Sequence, residues 1–340
     1  MIWNWQQPEW PEFTWDSKAL EALEGEFLRQ SGEFVGAFRH ISADDKDAIR
    51  IELISEEAVK TSQIEGELLS RESVQSSLRQ QFGLGPASAN IPPAERGIAM
   101  MMADLYRDYA AALADESLFA WHKMLMSGDA TIRTVGGYRT HADPMQVVSG
   151  PDYKRTVHFE APPSDAMAAE MARFNAWFND TGPNGARQLP ALTRAGLAHL
   201  YFVSIHPFED GNGRIHRFLV HHVLSRTGFS PGSVIFPVSA AIVRDQRSYD
   251  AVLESFSQPL FGAIDWTWTS EREIVVRNDT APLYRYFDAT LFAEYLYDRV
   301  IDTVRTDLRE ELGFLAVFDQ AMEGVRAVVD MPDRRAGLLI

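Results

Sequence analysis

One twelve-residue stretch in the second half of the chain, His206-Pro-Phe-Glu-Asp-Gly-Asn-Gly-Arg-Ile-His-Arg217, restricts what it can fold into more than any other. Its polar and glycine-rich middle cannot be packed inside a core, yet both flanks are apolar and helical in pattern. Before it, residues 192–205 are almost continuously apolar, broken by Thr193, Arg194, His199 and Ser204. After it, Ile215, Phe218, Leu219 and Val223 recur at i, i+3, i+4 and i+8, one face of a helix, with Gly228 placed to end it. The stretch is therefore a helix–loop–helix junction.

Such a junction favours anions. The first turn of the second helix has N–H groups without helical acceptors and the positive end of the macrodipole. Gly211 and Gly213 let a ligand oxygen approach the backbone. Arg214 and Arg217 are neighbours on the helix surface, and their planar forks suit phosphate oxygens. Asp210 is a hard oxygen ligand of the kind Mg²⁺ takes when it bridges phosphates. His206 is the nearby group that titrates close to neutrality, as a general base must. The parts make a polyphosphate site with a base beside it.

The string resembles the signature of the Fic family, His-x-Phe-x-Asp/Glu-Gly-Asn-Gly-Arg-x-x-Arg, and matches every fixed position. The resemblance implies transfer of AMP from ATP to a protein hydroxyl with release of pyrophosphate. His206 would then deprotonate the hydroxyl and Asp210 would hold Mg²⁺. Asn212 and the loop N–H groups, those of Gly211 and Gly213 among them, would hold the α- and β-phosphates. Arg214 would take the β-phosphate and Arg217 the γ-phosphate.

Upstream, Ser42 with Asp45 three residues on marks a helix start. That helix should run to about Glu65. Ile51, Ile54, Ala58, Thr61 and Glu65 share one stripe, so Glu65 points where the apolar residues point and needs a cationic partner. The six residues Thr61-Ser-Gln-Ile-Glu-Gly66 resemble the Fic inhibitory motif, Ser/Thr-x-x-x-Glu-Gly/Asn. The resemblance implies that Glu65 pairs with Arg217 and displaces the ATP γ-phosphate, the self-inhibited class. Read without the family, this is a helix C-terminus capped by Gly66.

Other stretches carry less chemistry. Trp3, Trp5, Trp10, Phe13 and Trp15 crowd around Pro8 and Pro11, an arm packed on the body or an exposed strip. Residues 83–93 are rich in Gly, Pro and Ser, a linker. Residues 145–149 and 156–160, divided by a turn sequence, read as a hairpin and as the one β-element of the chain. Its position resembles the Fic flap, which implies an extended target segment laid beside it by strand addition, with Val157 and His158 near the transferred AMP. Residues 239–256 read as one helix. Tyr249 on it matches the family's adenine-side tyrosine, with core packing as the alternative. His199 reads as a core histidine, and His216, His221 and His222 lack zinc spacing. From residue 261 the pattern stays helical to about 329, where Fic relatives often continue into a winged helix; whether the chain lacks one or has lost one is open.

Composition bounds the rest. With 46% hydrophobic residues in 340, the chain can bury a large core. It has no cysteine, which excludes thiol chemistry and disulfides. A net charge of −16, from 32 basic and 48 acidic residues, argues against nucleic acid as a partner. No apolar run reaches about 18 residues, so no membrane span or leader is expected and the cytoplasm is the expected location.

The expected fold is all-α: a Fic-type helical bundle at 90–260 with one β-hairpin flap. An N-terminal module at 1–85 and a C-terminal helical region at 261–340 extend it. The expected function is protein adenylyl transfer to a Ser, Thr or Tyr hydroxyl, with ATP and Mg²⁺, restrained by Glu65. Two other functions stay open: removal of AMP, with Glu65 orienting water, and a silent nucleotide-binding module. The expected partner is a protein with an exposed hydroxyl, and the resemblance also admits a homodimer.

Overall fold

Apolar residues at helical spacing recur through most of the chain, and their burial organises the molecule. The computed structural model describes residues 4–86, 90–108, 111–149, 156–227, 235–261, 263–270, 274–278 and 288–328. Among these residues twelve α-helices dominate. Helices α1 (Ser17–Phe38), α2 (Ala43–Ile64) and α3 (Arg71–Gln81) precede the centre. Each starts on a side-chain cap: Asp16, Ser42 and Ser70 accept from backbone N–H groups of the first turn. Helices α4 (Pro93–Asp108), α5 (Asp115–Met126) and α6 (Met167–Asp180) surround α7 (Ala191–Ile205) and α8 (Asn212–Arg226).

The central pair is α7 and α8. Leu192, Ala198, Phe202, Ile205, Ile215, Phe218, Leu219 and Val223 on these two helices are each wholly buried or within 1% of it. Burying the larger of these side chains, Leu, Ile, Val and Phe, contributes about 1.5–3 kcal/mol apiece. That rigid floor carries the loop of residues 206–211. Met101 and Met102 fill core space, as their flexible thioethers suit.

The hairpin is present as β1 (Gln146–Ser149) paired antiparallel with β2 (Thr156–Glu160), with a register irregularity between Val147 and Val148. Its turn, 150–155, lies outside the described residues. So do 87–89 of the linker, Trp3, Gly228, and 279–287 of the region leading to the last helices.

Two expectations change. The helix expected over 239–256 is two helices, α9 (Val238–Arg244) and α10 (Gln246–Phe261). They are parted at Asp245, which leaves the helical region (φ −138°, ψ 50°). Its carboxylate accepts from the Ser248 hydroxyl at 2.8 Å, the local competition with helix that Asp and Ser favour. The C-terminal region is not helical throughout: β3 (Trp266–Trp268) pairs antiparallel with β4 (Ile274–Val276). These aromatic and β-branched residues suit a strand, and the first hairpin is therefore not the only β-element. Helix α8 runs to Arg226 with Thr227 as its C-cap, whose hydroxyl donates to the carbonyls of Val223 and Leu224. Helices α11 (Thr290–Arg305) and α12 (Asp307–Val328) complete the chain.

The aromatic arm is packed, not exposed. Trp10 and Phe13 meet Tyr201 of α7 edge-on at 5.2 and 5.4 Å, and the Trp10 indole donates to Glu170 at 3.0 Å. No described helix is long and apolar enough to cross a membrane.

Candidate active site

The loop between α7 and α8 begins with a residue in an uncommon conformation. His206 has φ 51° and ψ 62°, the left-handed region, and is the one non-glycine described residue with positive φ. That conformation costs a β-carbon-bearing residue roughly 1–2 kcal/mol, so the surroundings must hold it. Arg139 does so. Its side chain is buried (1% exposed) behind the loop. Nε donates to the His206 carbonyl at 2.8 Å, and the guanidinium reaches the carbonyls of Pro162 and Ile205 and the Ser164 hydroxyl. Its own N–H donates to the Pro207 carbonyl at 3.0 Å. The loop backbone from 205 to 207 is thus pinned by one residue.

The same arginine acts on the imidazole electrically. Burial first, and then the Arg139 charge, push the His206 pKa down to about 4. The Val203 carbonyl, Glu65 and Asp210 pull the other way. The ring is therefore neutral at physiological pH, with a lone pair free to accept a proton.

The rest of the loop is closed by its own side chains. Asn212 Oδ1 accepts from Phe208 N–H at 3.0 Å and its Nδ2 donates to the Phe208 carbonyl at 2.8 Å. Asn212 thereby shapes the loop, with both ends of its amide engaged. Phe208 stacks on His122 of α5 (4.2 Å, 8° between planes), and His122 Nδ1 accepts from Gly136 N–H at 2.9 Å. Gly211 takes φ 78° and caps α8. The first helical bond runs from Ile215 N–H to the Gly211 carbonyl, so the N–H groups of Asn212, Gly213 and Arg214 have no acceptor within the helix.

Both signature arginines are buried, Arg214 at 4% and Arg217 at 3% exposure. Each meets a carboxylate from the end of α2. Glu65 Oε1 accepts from Arg217 Nη2 at 2.6 Å, and Glu67 Oε2 accepts from Arg214 Nη1 at 2.5 Å. Thr61 completes the Arg217 site: its hydroxyl accepts from Nε at 2.7 Å and its carbonyl from Nη2 at 2.9 Å. A methyl carbon added to Gly213 would lie 1.9 Å from Glu65 Oε1. The Glu65 carboxylate therefore rests on the helix N-terminus itself, in the space an anionic ligand would use.

Helix periodicity explains why Glu65 arrives there. Helices α2 and α8 run antiparallel with a polar seam, and a step of four along one matches a step of four along the other. Glu57 meets His221 at 2.9 Å, Thr61 meets Arg217, and Glu65 lies over Gly213. Glu57 is fully buried and also accepts from the Ser239 N–H and hydroxyl at 2.8 and 2.6 Å. Burial opposes ionisation of Glu57, but the His221 charge and the Ser239 bonds outweigh it and hold its pKa below the usual value.

Below the arginines, the Tyr249 hydroxyl and His199 Nε2 are 3.1 Å apart, and the His199 and His216 rings are 3.7 Å apart. Tyr249 is 4% exposed. His199 is thus a core histidine with a bonded ring nitrogen. The backbone of Val157 pairs with Val148 in the hairpin; the side chains of Val157 and His158 lie outside what the structure describes. Asp210 is exposed at the loop, with Oδ1 accepting from Gly211 N–H at 2.5 Å. Among the described residues no group of three or more His, Asp or Glu could hold a metal alone. One outward carboxylate does fit Mg²⁺ that takes its remaining ligands from phosphates and water.

Four residues of the site, Thr61, Glu67, His122 and Arg139, had no assigned part in the chemistry read from the sequence. Thr61 opens the inhibitory motif, so its spacing was a usable signal. Nothing local marks the others, because their partners are between 14 and 147 residues away.

Comparison with known proteins agrees with the signature. Residues 112–224 match the Fic/DOC family, and residues 3–84 match a family described as a domain of unknown function (DUF4172). Among curated proteins, "Protein adenylyltransferase Fic" of Drosophila grimshawi is 39% identical over 28% of this chain and 19% of its own length. That of Drosophila melanogaster is 37% identical with the same coverage. The match thus spans about a fifth of the length of these curated relatives. In solved structures, a Fic family protein from Desulfovibrio desulfuricans G20 superposes with a TM-score of 0.58 at 22% identity, over 88% of this chain and 77% of that one. Fic-1 from C. elegans gives 0.51 at 19% identity, over 88% of this chain and 75% of that one. At these identities the likeness shows the fold.

Proposed function

From a Fic/DOC domain over residues 112–224, we propose that this protein transfers AMP from ATP to a hydroxyl of a protein, itself included, and is held back by Glu65. One observation carries the reading. A neutral imidazole at a left-handed turn stands beside a helix N-terminus with two buried arginines.

In the reaction, His206 accepts the proton of a Ser, Thr or Tyr hydroxyl as its oxygen bonds the α-phosphorus. The bond from the α-phosphorus to the bridging oxygen breaks, and pyrophosphate leaves. Arg214 binds the β-phosphate and Arg217 the γ-phosphate, neutralising charge that grows on the leaving group. The unpaired N–H groups of Asn212, Gly213 and Arg214 face the same phosphates. Positioning and charge neutralisation account for most of such catalysis, with base catalysis adding about 10²–10⁴-fold. Asp210 is the residue that would hold Mg²⁺, which would supply further charge neutralisation on the phosphates. Tyr249, buried within hydrogen-bond reach of Arg217 and His199, would support the γ-phosphate site. The hairpin at 145–160 is the edge on which an extended target segment would be laid, with Val157 near the transferred group.

Glu65 restrains the site because it occupies Arg217 and the helix end at once. The experiment is self-labelling with α-labelled ATP and Mg²⁺, comparing parent, Glu65→Gly and His206→Ala. Strong labelling in Glu65→Gly that vanishes when His206→Ala is added supports the reading. Absence of labelling in every form, with ATP bound, would point to a silent nucleotide-binding module. Release of AMP from a pre-modified target only by forms that retain Glu65 would point to the reverse reaction.

A further inference from the structure

Two arginines project from the start of α8, and the turn after α2 meets both. Glu65 takes Arg217, and two residues later Glu67 takes Arg214. Gly66 between them has φ +83°. A β-carbon at Gly66 would meet nothing within 4 Å. The left-handed backbone, not crowding, is what asks for glycine there. That reversal of the chain turns the carboxylates of 65 and 67 toward the same helix end.

The burial of the second pair is lopsided. The Arg214 side chain is 5% exposed and that of Glu67 is 41% exposed. The other bonded neighbour of Arg214 is the Met126 sulfur at 3.5 Å, a soft acceptor without charge. Helix α8 and α5 therefore fix the cation in place, while the carboxylate reaches in from solvent and can leave by rotating its own side chain. Two carboxylates, each on one guanidinium, present to α8 two anionic groups side by side, as two linked phosphates would.

We propose that Glu67 is a nucleotide-competing residue: it occupies Arg214 where a β-phosphate must bind, so that Glu65-Gly66-Glu67 forms an internal mimic of a diphosphate. The inference rests on the assignment of Arg214 and Arg217 to phosphates made above. ATP affinity is then set by two displaceable carboxylates rather than one. Removing Glu65 alone leaves an anion in the cradle. A ligand without a β-phosphate, such as AMP, is indifferent to Glu67.

The test is calorimetric titration of Mg²⁺-ATP, Mg²⁺-ADP and AMP into the full chain as parent, Glu67→Gln, Glu65→Gly and the double variant. Glutamine keeps the shape and removes the charge, and thermal melts check that each variant folds. Glu67→Asp, which keeps the charge on a shorter stem, is the second probe. Glu67→Gln should tighten ATP and ADP by about tenfold, with and without Glu65, the size of one charge-assisted hydrogen bond released. AMP should be unchanged and Glu67→Asp intermediate. ATP and ADP affinities within about twofold of the parent would overturn the inference, given that one released bond predicts about tenfold; so would an equal gain for AMP. Should no nucleotide bind any variant, the functional reading itself falls and takes this one with it. ATP binding that ignores Glu67 sinks the inference alone.

Discussion

Replacing Glu65 by glycine isolates a single contact whose worth can be worked from the structure. The Arg217–Glu65 pair is 2.6 Å long, with the arginine side chain 3% and the glutamate side chain 32% exposed. A charge-assisted hydrogen bond contributes about 1.5–3 kcal/mol. Solvent reaches a third of the carboxylate and screens it, so the lower part of that range, about 1.5–2 kcal/mol, applies. An ATP γ-phosphate that no longer has to displace this bond should bind about 10- to 30-fold more tightly. Arg217 stays in place, because its bonds to the Thr61 hydroxyl and carbonyl do not involve Glu65. The backbone at 65 (φ −84°, ψ 5°) suits any residue, and Glu65→Ala controls for the flexibility of glycine. The assay pairs calorimetric ATP affinity with the initial rate of self-labelling. Both should rise, the rate by at least the affinity factor at limiting ATP. If neither substitution moves either quantity by more than about twofold, against the tenfold or more expected from the lost bond, the competition argument is wrong.

Further outcomes can be checked separately. His206→Ala should abolish transfer while calorimetry still reads ATP binding; equal transfer would remove the histidine from the base role. Arg139→Gln should slow transfer about a hundredfold through misplacement of His206, with ATP affinity retained, read as separate changes in kcat and Kd. Glu57→Gln should cost about 1–3 kcal/mol in denaturant unfolding, since it disturbs a buried carboxylate that accepts from the Ser239 N–H and hydroxyl in the α2–α8 seam. Thermal stability should fall in acid. The folded-state pKa values of His206 and His222 are pushed by burial to about 4 and about 3, and those of His199 and His216 well below 6.5. The unfolded chain takes up these protons near pH 6.5 and the folded chain does not. Stability is therefore full above about pH 6.5 and lost progressively toward pH 4. A Tm that stays flat between these pH values would contradict the buried state of these rings.

Much of the fold was legible because its helices announce their own ends. Ser42 caps α2 as its spacing to Asp45 indicates, and the stripe from Ile51 to Thr61 is buried, with Glu65 at its solvent-reached end. The break at Asp245 was not legible. Residues on both sides have helical spacing, and one backbone departure, supported by Ser248, divides them. The β3–β4 pair was missed because a three-residue strand is too short to show a period. Tyr249 left two readings open, since an adenine neighbour and a core tyrosine have the same local sequence; the side chain is buried against His199.

For the site, the sequence by itself determined the chemistry available: an imidazole, two guanidiniums and a glycine-lined helix start within one short stretch. These depend on adjacency along the chain, which a sequence records in full. The tertiary structure alone decided what those groups touch. Arg139 pins the turn at His206 from 67 residues away, and Glu67 reaches Arg214 across 147. Such contacts are fixed by how α2, α5 and α8 pack, and packing is a property of apolar faces elsewhere in the chain. No reading of a charged residue's immediate neighbours contains it.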